Sequence, residues 1–340
     1  MLNRKRWIFG GVLILAFLVS LGSWDCEFEF RTQSMGTLVT VKAIKPWYMP
    51  DFMLREAIEG RLVALNALFS TYEEDTVVMA VNRAKSGVSV PLPEAVTYVL
   101  SRALDVAAAS EGLYDPTIQP LLELWNIGGG NVSPPSKSEI QQVLATVGYE
   151  KLKLEGNTVE KSVSGLEIDL SSLAKGYAVD DILLSLHEDY GINNIFVNIG
   201  GDLRSMGTRS DGRAWTVGIQ DPRKPGELLE VLEQGAWAAM ASSGDYMQYF
   251  EHDGRRYSHI LNPNTGEPVQ SAVMAATVLA PDCMTADALA TVAMLVSPEK
   301  SMDMVATYGA AVFLMIATDT GLQVLKSENW PLGRSSGLTE

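Results

Sequence analysis

The sequence predicts an α+β fold, with mixed sheets packed against helices, preceded by an N-terminal signal or anchor segment. Strand-like and helix-like patterns follow one another without the regular strand–helix–strand order that produces a parallel sheet. The 340 residues are 47% hydrophobic and 20% charged, a composition typical of globular proteins. Because no Pro-, Gly- or Ser-rich linker divides the chain, we expect a leader over residues 1–25 and a single domain over residues 26–340.

The first residues have the pattern of an export signal. Residues 4–6 are basic, and the apolar run 7–21 that follows contains no carboxylate. This run is short for a spanning helix, which needs about 20 apolar residues, so a cleaved signal peptide and a retained anchor both fit. The basic end favours the cytoplasm, which predicts an exported body at the periplasmic face of the inner membrane. Cys26 could carry a lipid, but residues 23–25 (Ser-Trp-Asp) match a lipidation site poorly.

The net charge of −15 argues against a nucleic-acid-binding protein, which would show a basic patch. Without residues 4–6, the exported body is three charges more negative still. Membrane attachment is therefore expected to come from the N-terminus, and an anionic ligand must be held locally by amides, a lysine or a metal. Cys26 and Cys283 are the only cysteines in the sequence, so no disulfide framework is expected.

Apolar spacing and capping residues place the individual elements. Strand-like runs predict strands at 38–44, 195–199, 215–219, 273–279 and 311–316. Helical spacing and start or stop signals predict helices at 51–69, 94–110, 136–147, 286–296 and 298–308. The third helix depends on Ser136 and Glu139, which have the spacing of a capping box.

The segment DLSSLAKGYAVD, residues 169–180, is the first candidate site. We expect a strand to end here and a helix to follow, capped by Ser171 or Ser172. Lys175 would then lie in the first turn, beside free backbone amides and the positive end of the helix, which suits a phosphate. Asp169 could accept a hydrogen bond from a ligand. Taken alone, the segment favours an ordinary helix cap with a solvated lysine over a ligand site.

The segment DCMTADALAT, residues 282–291, is the second candidate site. If Thr285 caps a helix, Asp287 lies in its first turn and Thr291 one turn later on the same face. A carboxylate and a hydroxyl on one face suit a hard cation such as Mg²⁺. The alternative is that the helix dipole alone favours an acid at this position.

The histidines offer a third candidate. We expect His187 and His252 at the surface, whereas His259 begins a strand-like stretch that runs into the turn 262–266, which could close over a ligand. A three-histidine zinc site stays open as an alternative, although the spacing matches no familiar ligand set. Residues 242–244 (Ser-Ser-Gly) lack the flanking glycines of a serine-hydrolase elbow.

Taken in order, eight segments resemble the ApbE-like FAD:protein FMN transferases. They are SMGT (34–37), FSTY (69–72), YDPTI (114–118), DLSSLAKGYAVD (169–180), NIGGDL (198–203), ASSGDY (241–246), HILNPNTGEPV (259–269) and TADALAT (285–291). Each is short, but together they span nearly the whole exported body with compatible spacing. The resemblance implies an ApbE-like fold and an exported enzyme, often a lipoprotein, that uses FAD and Mg²⁺. Such enzymes attach FMN to a threonine of a target flavoprotein through a phosphoester and release AMP.

The resemblance also implies roles for individual residues. The FAD site would be lined by Met35, Tyr72, Leu113, Tyr114, Asp115, Asp169, Lys175 and Leu261. Mg²⁺ would be held by the carbonyl of Ser172 and the side chains of Asp287 and Thr291. His259 matches a family histidine near the transfer site, so it is our first choice for the catalytic base, with Asp169 second. The partner would be an exported or membrane redox flavoprotein with an acceptor threonine.

One departure concerns the turn after His259, where the family usually has IDPRTG. Asn262 and Asn264 replace the acidic and the basic residue, which puts efficiency or target preference in doubt. Two other functions stay open. The same site with water as acceptor would be an FAD pyrophosphatase giving FMN and AMP, and a site without catalysis would be a membrane-tethered flavin-binding protein.

Overall fold

The computed structural model describes residues 25–335 except residues 128, 130–132, 225, 236–238, 245–248 and 319–320. The predicted leader through Trp24, and the last two residues of ASSGDY, lie outside the described residues. No helix in the described part of the chain is both long and apolar enough to cross a bilayer.

The described elements alternate irregularly between strand and helix, as the sequence predicts. The strands are β1 (Asp25–Ser34), β2 (Thr37–Pro46), β3 (Val90–Pro91), β4 (Leu152–Glu155), β5 (Thr158–Lys161), β6 (Asn194–Ile199), β7 (Asp202–Met206), β8 (Thr216–Gln220), β9 (Leu228–Glu233), β10 (Ala239–Gly244), β11 (Tyr249–His252), β12 (Arg255–Ser258), β13 (Val273–Ala280), β14 (Ala311–Thr318), β15 (Gly321–Lys326) and β16 (Arg334–Ser335). The helices are α1 (Asp51–Phe69), α2 (Val77–Arg83), α3 (Glu94–Ala109), α4 (Gln119–Trp125), α5 (Lys137–Leu144), α6 (Ser171–Glu188), α7 (Cys283–Leu295) and α8 (Pro298–Thr307).

An eight-stranded sheet in the order β1-β2-β6-β7-β10-β13-β14-β15 forms the centre of the fold. Its neighbouring strands pair antiparallel. One face is buried under α1, α6 and α7, and the other packs on the small sheet β16-β9-β8 around Phe313 and Trp330. Burial of apolar side chains on both faces is the main force that holds these layers together.

The segment SMGT is the turn of a hairpin, and the strand predicted at 38–44 is the second strand of that hairpin. Strand β1 precedes it and pairs along its whole length with β2, ending at the pair Ser34 and Thr37. Met35 and Gly36 both take positive φ angles, 50° and 72°. This is the two-residue turn that matches the twist of a hairpin.

The helix predictions are confirmed in position and corrected at some ends. Helix α1 has the predicted bounds, and Ser136 and Glu139 form the predicted capping box. Helix α5 ends at Leu144 rather than near residue 147. Helix α7 begins at Cys283 rather than near residue 286.

Helices α6 and α7 approach each other closely because Gly176 has no side chain. A Cβ atom at this position would lie 2.4 Å from the carbonyl oxygen of Cys283. Asp180, one turn further along α6, accepts hydrogen bonds from the N–H groups of Cys283 and Met284, both at 3.0 Å. The close crossing therefore fixes the start of α7 against the first half of α6.

Candidate active site

Leu170 is the N-cap residue of α6, so neither serine caps this helix. The helix begins at Ser171, and Asp169 accepts hydrogen bonds from the N–H of Ser171 (2.8 Å) and from its hydroxyl. Lys175 and Gly176 are consequently the fifth and sixth helical residues, in the second turn rather than the first. The preceding residues form only an isolated bridge, Ile118 to Glu167, and not the predicted strand.

The loop YDPTI is fastened to this helix start. Asp169 donates its N–H to the carbonyl of Pro116 at 2.8 Å, and the Tyr114 hydroxyl lies 2.9 Å from the Ser172 hydroxyl. Burial raises the pKa of Tyr114, so this phenol stays protonated. The structure thus brings two predicted sites, the loop 114–118 and the helix start, into direct contact.

Asp115 holds the loop 114–118 in shape. Its carboxylate accepts hydrogen bonds from the N–H and hydroxyl of Thr117, at 2.8 and 2.6 Å, and from the N–H of Tyr149 at 2.8 Å. Burial raises the pKa of Asp115, and these hydrogen bonds oppose the shift. A carboxylate with three internal donors acts first as a support for the loop.

Lys175 lies between two buried carboxylates. Its ammonium is ion-paired with Asp202 and lies 3.5 Å from Asp287 Oδ1. The N–H of Gly176 donates to the other oxygen, Asp287 Oδ2, at 3.1 Å. Asp202 is 1% exposed and Asp287 3% exposed. We call Lys175, Asp202 and Asp287 the charge cluster.

The electrostatics of the charge cluster follow from burial. Burial raises the pKa of Asp287 to about 8; the negative charge of Asp202 adds to the shift and Lys175 opposes it. Burial also raises the pKa of Asp202, against the attraction of Lys175. For Lys175, burial lowers the pKa, but the two carboxylates outweigh it and raise the value overall. Lys175 is therefore charged. Within the part of the chain that the structure describes, its ammonium interacts with both buried carboxyl groups, those of Asp202 and Asp287.

Helix α7 presents Asp287 and Thr291 on one face, as predicted, although its start differs. Asp282 caps the helix by accepting the N–H and hydroxyl of Thr285, at 2.8 and 3.0 Å. Thr285 is therefore inside the helix, and Asp287 lies in the second turn. The Thr291 hydroxyl lies 3.5 Å from the hydroxyl of Ser243 on β10.

Asp202 is a residue of the charge cluster that the sequence does not predict as a site residue. Asp202 begins β7 directly after the Gly200-Gly201 turn, which carries the chain back from β6. The only signal in the sequence is the NIGGDL segment itself. An aspartate after two glycines is common at turns, so a position opposite Lys175 could not be inferred without the fold.

The remaining predicted residues lie on other elements. Met35 is half-buried in the β1–β2 turn, Leu113 is half-buried before the loop 114–118, and Tyr72 is 97% exposed after α1. Leu261 is buried beside Trp125, in the small core of α4 and α5.

His259 follows β12 directly and is half-buried, so it ends a hairpin instead of beginning a strand. The turn after it is closed by Asn262, whose side-chain oxygen accepts the N–H of Asn264 at 2.8 Å. The Trp125 indole donates to the carbonyl of Gly266 at 2.6 Å. The amide oxygen of Asn262 accepts the hydrogen bond that a carboxylate oxygen would accept. Asparagine at this position, where the family usually has aspartate, therefore preserves the turn.

The residues predicted to hold Mg²⁺ fit a hard cation. A carbonyl, a carboxylate and a hydroxyl are the oxygen donors that Mg²⁺ prefers. In a regular α-helix the N–H of Gly176 points at the carbonyl oxygen of Ser172. The same N–H donates to Asp287 Oδ2, so the Ser172 carbonyl and the Asp287 carboxylate both lie next to this one amide. The excess of buried carboxylate in the charge cluster would also stabilise an added positive charge. The described residues contain no group of three or more His, Cys, Asp and Glu arranged for a metal.

Comparison with known proteins points to one family. A family model described as the ApbE family matches residues 35–314. An FAD:protein FMN transferase of Vibrio cholerae is 35% identical over 302 residues, which are 87% of this chain and 90% of that protein. One of Haemophilus influenzae is 32% identical over 338 residues, 95% of this chain and 96% of that protein.

Solved structures agree with the sequence comparison. The flavin transferase ApbE from Vibrio cholerae superposes with a TM-score of 0.82 at 33% identity, covering 90% of this chain and 98% of that one. The ApbE protein from Thermotoga maritima gives a TM-score of 0.79 at 31% identity, covering 89% of this chain and 97% of that one. The predicted α+β architecture is thereby confirmed.

Proposed function

The chain belongs to the ApbE family, and we infer that it transfers FMN from FAD to a protein hydroxyl. The observation that carries this inference is the charge cluster at the crossing of α6 and α7, joined to the loop 114–118 through Asp169. Lys175, together with a cation held by the buried oxygen ligands, would suit the pyrophosphate of FAD. We propose threonine as the acceptor and AMP as the second product.

The proposed reaction is a phosphoryl transfer. The threonine oxygen attacks the flavin-side phosphorus, a phosphoester bond forms, and the pyrophosphate bond to AMP breaks. AMP leaves with the electron pair of the bridging oxygen, and the threonine proton passes to a base. Lys175 is already charged and held between Asp202 and Asp287, so it can donate to the phosphate oxygens where charge develops.

Mg²⁺ is the cation that we propose for this site, with Ser172, Asp287 and Thr291 as its protein ligands. When bound, it would supply charge neutralisation of the pyrophosphate. The chain contributes by orienting these ligands: the N–H of Gly176 fixes one oxygen of Asp287, and the helical spacing sets Thr291 on the same face.

His259 is the base that we propose, ahead of Asp169. The carboxylate of Asp169 is already engaged at the start of α6, because Ser171 donates two hydrogen bonds to one of its oxygens. His259 lies half-buried directly after β12, and imidazole is the commonest general base near neutral pH.

The test is incubation of the full chain with FAD, Mg²⁺ and an acceptor domain, followed by the mass of the acceptor. We expect an added FMN, and none when the acceptor threonine is replaced by valine. Asp287→Ala should abolish labelling, while the exposed control Asp211→Asn should not change it. Full labelling by Asp287→Ala would overturn the metal assignment, and AMP release without an acceptor would identify a pyrophosphatase.

We also propose that the body is exported and tethered to the periplasmic face of the inner membrane by its N-terminal segment. The basic and then apolar pattern of residues 4–21 supports export. Cys26 is exposed on β1, so a lipid could be attached there without entering the hydrophobic core.

A further inference from the structure

Four large apolar side chains are exposed together at the connection between β2 and α1. Trp47 is 50% exposed, Tyr48 64%, Phe52 59% and Met53 41%. They fall within seven consecutive residues, whereas most other exposed large apolar residues are scattered along the chain. We call these four residues the aromatic patch. Single exposed apolar residues are ordinary, but a cluster marks a contact surface.

The connection that carries the aromatic patch is fixed by buried contacts. Lys45 is 4% exposed; its ammonium donates to the carbonyl of Met49 at 2.6 Å and pairs with Asp51 at 3.0 Å. The N–H of Met49 donates to the carbonyl of Pro46, and its side chain packs against the core. The fold therefore holds this loop with its aromatic rings directed outward.

The aromatic patch lies where the chain enters the fold from its N-terminal segment. Asp25, the first described residue, pairs with Pro46, and Cys26 pairs with Lys45. Trp47 directly follows Pro46, the partner of Asp25, so the chain enters the described fold beside the patch. Anything that holds the N-terminal segment at a membrane also holds the patch there.

We propose that the aromatic patch inserts into the interfacial layer of the membrane and orients the enzyme on it. This inference rests on the N-terminal tether proposed above. Trp and Tyr are the residues that favour the interface between lipid and water. The body is acidic, so attraction to anionic lipid cannot seat it, and apolar contact is the force that remains.

This orientation would place the β1–β2 turn, which contains Met35, away from the aromatic patch. Cys26 and Ser34 are eight residues apart on β1, which is about 27 Å along an extended strand. The turn with Met35 therefore lies at the far end of the hairpin from the aromatic patch.

The experiment compares two added tryptophans in the full chain, reconstituted in phosphatidylcholine vesicles with and without brominated acyl chains. Tyr48→Trp probes the aromatic patch, and Tyr98→Trp, at a tyrosine 51% exposed on α3, is the matched control. Emission of the wild type is subtracted, which removes the native tryptophans. We expect brominated lipid to quench the emission added by Tyr48→Trp and to leave that added by Tyr98→Trp unchanged.

Each outcome decides the proposal. If the chain sediments with the vesicles but neither increment is quenched, the tether stands and the insertion of the aromatic patch is overturned. If the chain does not sediment with vesicles, the tether and the insertion both fail. A blue shift of the Tyr48→Trp emission that follows protein concentration instead of lipid bromination would identify a second copy as the occupant and overturn the proposal.

Discussion

Lys175 is held between Asp202 and Asp287, and its removal would leave two buried carboxylates without their described cation. We expect Lys175→Met to lower the free energy of unfolding by about 3–5 kcal/mol, the usual effect of breaking a buried ion pair. FMN transfer should fall about 100-fold through the loss of a charged donor. Urea denaturation and initial rates of labelling measure the two effects.

The double variant Lys175→Met with Asp202→Asn is the control for this pair. Removing both charges should recover part of the lost stability, because an unpaired buried charge costs more than a neutral pair. Activity should stay low, since the donor is still absent. Additive losses of stability in the double variant would contradict the assigned ion pair.

Asp115 allows a test of pH dependence away from the proposed metal ligands. Burial raises its pKa in the folded state, so the folded protein holds this proton to higher pH than the unfolded chain, where the carboxyl titrates at about 3.9. Its contribution to stability is complete below that value and is lost as pH rises through the folded pKa. The unfolding free energy of Asp115→Asn, minus that of the wild type, should therefore increase as pH rises above about 4. Urea titrations across this range measure the difference, and a difference that decreases would contradict the assignment.

At the scale of elements, Gly176 determines how closely α6 and α7 cross. Gly176→Ala would place a Cβ 2.4 Å from the carbonyl of Cys283, so the helices must separate and Lys175 must move relative to Asp287. We expect a loss of about 1–3 kcal/mol of stability from overpacking, together with a loss of transfer activity. Gly60→Ala in α1 is the matched control, because its Cβ would have nothing within 4 Å. That variant should gain about 0.5–1 kcal/mol. Equal effects of the two substitutions would show that the crossing does not constrain Gly176.

The elements also show how much of the fold can be predicted from sequence. Both ends of helix α1 match the prediction, because the apolar stripe in its sequence is also the face that is buried in the structure. The start of α6 differs from the prediction: the two serines have the pattern of helix caps, but Leu170 is the N-cap and Ser171 is already the first helical residue. Lys175 and Asp287 were identified, yet the contact between them was not, because 112 residues separate them and only the crossing of α6 and α7 joins them. The contact between Lys175 and Asp202 could not be predicted for the same reason, because the two residues meet only in the folded chain.

At the scale of the whole molecule, the proposed tether should matter for rate more than for folding. The described residues enclose their own hydrophobic cores, so replacing residues 1–25 with a cleavable signal should leave the unfolding free energy and transfer to a soluble acceptor unchanged. Transfer to an acceptor embedded in the same vesicles should fall by about 10²-fold, because tethering raises the effective concentration of enzyme at the surface. Initial rates with both acceptors, measured for the full chain and the released body, give the comparison. Equal rates on the embedded acceptor would show that membrane attachment does not assist the reaction, and a loss on the soluble acceptor would instead show that the N-terminal segment supports the fold.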